Sequence, residues 1–276
     1  MSSKTTKSIT KVGLRKSSET KSSVAITFGD SGENHVGMQK IGTIAKTGFT
    51  KKDLEKAKKY FEERGCICEL ISLEIDEVDV DTENALVLII RKGVDCLLGN
   101  ADDLYEEQLT LEKDTKAFMY GRVVNKHARH NLCFSDESQE PDYENKKGRI
   151  VAFDDVPHLK KIRERLPEFL GKKGENMIAE GNYYYDVKKC GIGYHGDAER
   201  RRVVACKLAS DKDVVMSLHY QWYKDSKPVG QNFKLELRHG DMYIMGDKAV
   251  GWDWKKKKIY TLRHSAGCEK FTNVKI

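Results

Sequence analysis

The sequence lacks any apolar run approaching the roughly 20 residues of a membrane-spanning helix, and its mean hydropathy is −0.63. No membrane association is therefore expected. Residues 1–23 are rich in Ser, Thr and Lys and lack the apolar stretch of a secretory signal. The seven cysteines are scattered without a repeated metal-binding spacing; Cys66 and Cys68 form a C-x-C. An odd count without a framework argues for reduced thiols in an intracellular protein, cytoplasmic or nuclear. Most of these thiols read as small buried hydrophobes. There is no GxxxxGK phosphate loop and no internal repeat. A strong excess of one charge is missing too: 49 Lys and Arg against 43 Asp and Glu leave +6. That falls short of a nucleic-acid signature. Much of the excess sits in the tail and in residues 255–258, which read as solvated segments.

What is present suits one large domain or two small ones, at 276 residues. Residues 1–23 are expected to be a disordered basic tail. Residues 24–28 alternate like a strand, and a polar loop follows at 29–35. The clearest helix spans 50–64, with Thr50 as cap, Asp53 three residues on, Gly65 as stop, and Leu54, Ala57 and Phe61 as its apolar stripe. Strands at 69–75 and 85–90 complete a small α/β lobe, which with its loops occupies 24–150. A long polar loop is read at 135–147. A second helix covers 156–169, with Pro157 in its first turn and Pro167 limiting its end.

From residue 177 the pattern changes to short strands, at 177–179, 183–185, 202–208, 214–223, 232–237, 241–245, 250–254, 259–264 and 271–276. Pro228-Val229-Gly230 and residues 255–258 supply hairpin turns. Such spacing indicates a sandwich or barrel, so the expected class is α+β.

The chemistry centres on His195-Gly196-Asp197. Residues i and i+2 of a strand point the same way, so this histidine and aspartate can face one metal. Two histidines and one carboxylate form the facial set that holds non-haem Fe(II) and leaves positions open. The third ligand must come from another strand, and a late histidine, His264, is at hand.

Four stretches carry a family resemblance: Tyr183-Tyr184-Tyr185, the run from Gly191 through His195-Gly196-Asp197 to Glu199, Gly240-Asp241-Met242-Tyr243-Ile244-Met245, and Tyr260-Thr261-Leu262-Arg263. Over about residues 176–276 the chain resembles the AlkB-like branch of the 2-oxoglutarate/Fe(II) oxygenases. The resemblance implies a double-stranded β-helix (jelly-roll) core at 151–276 that uses Fe(II), 2-oxoglutarate and O2. It makes His195 and Asp197 the first two ligands, sets Tyr185 against the co-substrate, and aligns Arg263 with the family's late arginine. The family's second histidine usually follows the Gly-Asp strand closely, but here that zone reads Gly251-Trp252-Asp253-Trp254. His264 is taken as third ligand, with Lys275 or Lys270 gripping the distal carboxylate of 2-oxoglutarate. The rival alignment keeps Arg263 on that carboxylate and leaves Asp253, or nothing, as third ligand.

The implied reaction is oxidative decarboxylation to succinate and CO2, coupled to hydroxylation of a C–H bond. A hydroxylated N-methyl is lost as formaldehyde. A modified nucleobase is the implied substrate, with nucleic acid as partner; protein or small-molecule hydroxylation is the alternative. Arg200, Arg201 and His127 are candidate substrate contacts, although an arginine run beside Glu199 also reads as a charged strand edge. Two other classes remain in view: a β-sandwich binding module without iron, and a zinc hydrolase using His195, Asp197 and His264.

Overall fold

The computed structural model describes residues 20–76 and 82–274. Residues 1–19 of the expected tail, and Lys275, lie outside the described residues. In chain order the elements are β1 (Ser23–Gly29), β2 (Ser31–Glu33), β3 (Lys40–Gly42), α1 (Lys51–Glu62), β4 (Cys68–Ser72), β5 (Leu86–Ile90), α2 (Gly93–Leu98) and α3 (Ala101–Thr110). There follow β6 (Lys116–Met119), β7 (Arg122–Asn125), β8 (His130–Ser135), β9 (Ile150–Ala152), α4 (Pro157–Leu170), β10 (Ile178–Tyr184), β11 (Gly191–His195) and β12 (Val203–Ala209). The last are β13 (Leu218–Lys224), β14 (Lys227–Leu235), β15 (Met242–Met245), α5 (Asp247–Val250), β16 (Thr261–Gly267) and α6 (Glu269–Thr272).

Local chemistry explains the clearest of these. Thr50 and Asp53 form a reciprocal capping box that starts α1, and Leu54, Ala57 and Phe61 give it a fully buried stripe. Ala85 to Ile90 is apolar on both faces because β5 is covered on both. Leu86, Leu88 and Ile90 join the core under the helices. Val87 and Ile89 join the core under a second sheet.

That division runs through the molecule. An eight-stranded sheet has the order β4-β5-β15-β12-β1-β10-β8-β9 and is antiparallel except for β8–β9. One face carries Val24, Ile26, Phe28, Val204, Cys206 and Leu208 against α1 to α4. The other carries Val203, Ala205, Tyr243 and Met245 against Leu218, Tyr220, Trp222 and Leu262 of a four-stranded sheet, β11-β16-β13-β14. The class is α+β, as expected.

The expected boundary between 24–150 and 151–276 does not divide the sheets. β1 runs between β10 and β12, with register pairs Ile26↔Gly181 and Ile26↔Cys206. β4 and β5 extend the same sheet through β15. Alternation along a segment shows that it is a strand but not which strands flank it.

Other differences are local. Asp225 and Ser226, both at positive φ (49° and 65°), make the β13–β14 turn, and Pro228 lies within β14. There it sits on an edge strand, where a missing N–H is tolerated. Residues 250–254 form the end of α5 and turns instead of a strand, with Gly251 left-handed at φ 71°. The expected final strand is α6 in its described part. Pro167 lies inside α4, and α3 was absent from the sequence reading. Among the described residues no helix is long and apolar enough to cross a membrane.

If β1 is integral to the sheet, Ile26→Ala should cost about 2–5 kcal/mol and leave one cooperative unfolding transition by calorimetry. Two separate transitions, with only the first shifted, would indicate an independent N-terminal lobe.

Candidate metal centre

β11 and β16 are antiparallel neighbours. Their register runs Gly191↔Gly267, Ile192↔Ala266, then slips to His195↔His264. The extra residue on β11 is a bulge, a device that re-aims side chains. It brings the two imidazoles face to edge, with ring centroids 4.5 Å apart. Asp197 follows directly after β11, its N–H donating to Val250 O at 3.0 Å. A Cβ on Gly196 would collide with the carbonyl of Gly251 and lie 2.8 Å from Trp254 Cβ. The glycine of the tripeptide is thus a requirement of close backbone approach.

Ligand atoms of His195, Asp197 and His264 all lie within 4.8 Å of one another. Asp197 Oδ1 is 3.5 Å from His195 Nε2 and 3.5 Å from His264 Nε2. His195 Nδ1 lies 2.8 Å from Gly193 O, to which it donates. A neutral imidazole carrying its proton on Nδ1 presents a bare lone pair at Nε2. The ring is neutral: burial, and then His264, lowers its pKa to about 3. Burial pushes the Asp197 carboxyl up, but Arg200, then His264 and His195, more than reverse this and hold it below the usual range. An unprotonated nitrogen and a carboxylate oxygen therefore face each other at the cavity wall. The side chains suit a cation between them, and backbone anchoring of the far imidazole nitrogen is the usual outer-shell support of a metal-bound histidine. His264 Nδ1 is buried with no hydrogen-bond partner among the described residues.

The three side chains line a cavity of about 490 Å³. Val203, Leu218, Tyr243 and Met245 give it an apolar wall, and Arg129, Asn182, Tyr184, Glu180, Glu199 and Arg200 a polar one. Arg200 is a buried hub. It is ion-paired to Glu180, 3.0 Å from Glu199 Oε1 and 3.6 Å from Asp197 Oδ2. Burial, and then Asp197, raises the Glu199 pKa to about 7.

The other expected site residues fare differently. Arg200 lines the cavity, but its charge is committed to three carboxylates. Arg201 pairs with Asp247 and lies 4.0 Å over the Trp252 ring, outside the cavity lining. Tyr185 is 41% exposed, stacks on His130 and donates to His127 O; Tyr184, one residue earlier, lines the cavity. Arg263 lies on the opposite face of β16 from His264, 4.0 Å over the Tyr223 ring, as strand alternation demands. His127 lines a separate groove along the β6–β7 hairpin. Asp253, the rival ligand, is buried against Lys248 at 2.9 Å, apart from the histidines. Arg129, beside His127 in the sequence and a candidate substrate contact with it, does line the cavity, as does Glu199, the counter-ion of the arginine run; Asn182 and Glu180 were missed. Asn182 and Tyr184 share an alternation phase on β10 that was legible, but the tyrosine run masked which phase faces inward.

The fold and site define an α+β protein with a partly buried His-Asp-His cluster that could hold a metal ion. No family model matches the chain. It is 48% identical over 256 residues to a protein of Acanthamoeba polyphaga mimivirus named "Uncharacterized protein R156", an alignment covering 92% of this chain and 98% of the relative. The chain belongs to the same family as that viral protein.

The wild type is expected to bind one divalent first-row ion, read by Co(II) absorbance. His264→Ala should weaken binding by more than the 10–100-fold typical of outer-shell changes, whereas Arg263→Ala should leave it unchanged. Equal affinity in His264→Ala would remove His264 from the site.

Proposed function

We propose that the protein is a 2-oxoglutarate- and Fe(II)-dependent dioxygenase. The observation that carries this reading is the buried convergence of two imidazole nitrogens and one carboxylate on a cavity wall, the donor set suited to non-haem Fe(II) with positions left open. The path of the chain supports a double-stranded β-helix. From β10 to β16 it alternates between sheets: β10 large, β11 small, β12 large, β13 and β14 small, β15 large, β16 small. The next step of that winding would return between β10 and β12, and β1 fills that slot from the other end of the chain.

Bound at this group, Fe(II) would supply oxygen activation coupled to decarboxylation of the 2-oxo acid. The protein's own residues do the rest. Gly193 O fixes the His195 ring, and Val250 O and Arg200 fix Asp197. The apolar wall of Val203, Leu218, Tyr243 and Met245 limits water at the reacting centre. Of the residues expected to meet the co-substrate, Tyr185 gives way to Tyr184. Arg263 gives way to cations that line the cavity or lie behind it.

The substrate proposed is a modified nucleobase, with a protein or small molecule as the alternative. Lys40, Arg129 and Lys255 line the same cavity, which favours an anionic substrate such as a nucleic acid strand.

With Fe(II) and O2, the wild type is expected to convert 2-oxoglutarate to succinate, and His195→Ala to lose the activity by at least about 100-fold, the order of magnitude set by one essential electrostatic group. A hydrolytic activity that needs neither oxygen nor 2-oxoglutarate would point instead to zinc chemistry, and absence of both iron uptake and succinate would refute the oxygenase reading.

A further inference from the structure

Lys207 lies in β12, opposite Ala25 of β1, and Ala25 lies opposite Asn182 of β10. Val204, Cys206 and Leu208 face the helices, so the two-residue period turns Lys207 toward the cavity side. It is 3% exposed. Its Nζ lies 2.9 Å from Met216 Sδ and 5.2 Å from the Tyr184 ring centroid. Among the described residues no carboxylate pairs with it. Arg200, equally buried, has three, and Lys248 has Asp253. A buried charge is ordinarily paired, and a thioether is a weak acceptor on a flexible arm. Burial alone pushes this ammonium down to about 7.

Ala25 and Tyr184 line the cavity, and they also form a small cluster with Met216 and Cys190 beside the lysine. Lys207 and Met216 themselves lie just behind the cavity lining, with Ala25 and Tyr184 between them and the space that holds the His-Asp-His group.

We propose that Lys207 is the interior anion anchor of this cavity, taking the distal carboxylate of a small dicarboxylate whose other end reaches His195, Asp197 and His264. The assignment rests on the metal-centre and co-substrate reading above, but it puts the charge on β12 in place of Arg263 or Lys275. On this assignment the carboxylate takes the place of the Met216 thioether on Lys207 Nζ, and Tyr184 and Asn182 line the cavity on that side. A ligand with a chelating 2-oxo acid and a second carboxylate satisfies both ends; pyruvate satisfies only the first.

The test uses the full chain loaded with Mn(II), titrated with 2-oxoglutarate or pyruvate by calorimetry. Wild type should prefer 2-oxoglutarate. Lys207→Met should keep Mn(II) affinity but bind 2-oxoglutarate at least about 10-fold more weakly, the effect of losing one charged hydrogen bond, and should lose the preference over pyruvate. Lys207→Arg should recover part of it. Without ligand, Lys207→Met should melt no lower than wild type, because an unpaired buried charge has been removed; a merely structural lysine would lower it. If Lys207→Met does not fold, Lys207→Gln carries the same expectation. Binding of 2-oxoglutarate by the neutral variant within about threefold of wild type would overturn the anchor alone. A wild type that takes Mn(II) but no 2-oxo acid would overturn the co-substrate reading and the anchor with it.

Discussion

Two imidazole nitrogens each come within 3.5 Å of one carboxylate oxygen beside the main cavity, and much of the local structure serves that meeting. The β11 bulge aligns His195 with His264. Gly196 permits the backbone contact with Gly251 that directs Asp197 inward. Arg200 keeps Asp197 ionised from behind, and its own burial is compensated by Glu180 and Glu199. Electron-rich atoms held together in low dielectric repel one another unless a cation joins them, so this arrangement reads as one prepared for an ion.

Around that point the interior charges fall into two groups. Arg200, Glu180, Glu199 and Asp197 form a compensated network around one of the three candidate ligands. Lys207 is uncompensated, and Arg129, which lines the cavity, donates from Nε to Asn182 Oδ1 at 2.6 Å. An unmatched interior cation destabilises an empty protein and stabilises a complex with an anion, which is how a binding site differs from a core. Apolar walls beside these cations strengthen their attraction for a carboxylate relative to water.

Short-range signals were legible in the sequence. The capping box at Thr50 and Asp53, the double-faced run at 85–90 and the His195-Gly196-Asp197 spacing each depend on neighbours in the chain. His264 was found through its residue type, and its pairing with His195 across β11 and β16 bears on the choice between it and Asp253. The placement of β1 was not legible, because nothing local to residues 23–29 specifies flanking strands as distant in sequence as 178–184 and 203–209. Tyr184, and not Tyr185, faces the cavity, a phase hard to read because three tyrosines in a row erase the polar–apolar alternation that fixes it. Arg263 lies away from the cavity for a related reason, since a residue next to an inward histidine on a strand faces out. Lys207 escaped notice because a lysine in a strand is ordinarily read as solvent-facing.

X-ray absorption at the iron edge of the Fe(II)-loaded protein addresses the central claim most directly. The site described here should give scattering from two imidazoles with oxygen ligands and no sulfur, and one imidazole should disappear in His264→Ala. Sulfur in the first shell, or two imidazoles retained in that variant, would contradict it.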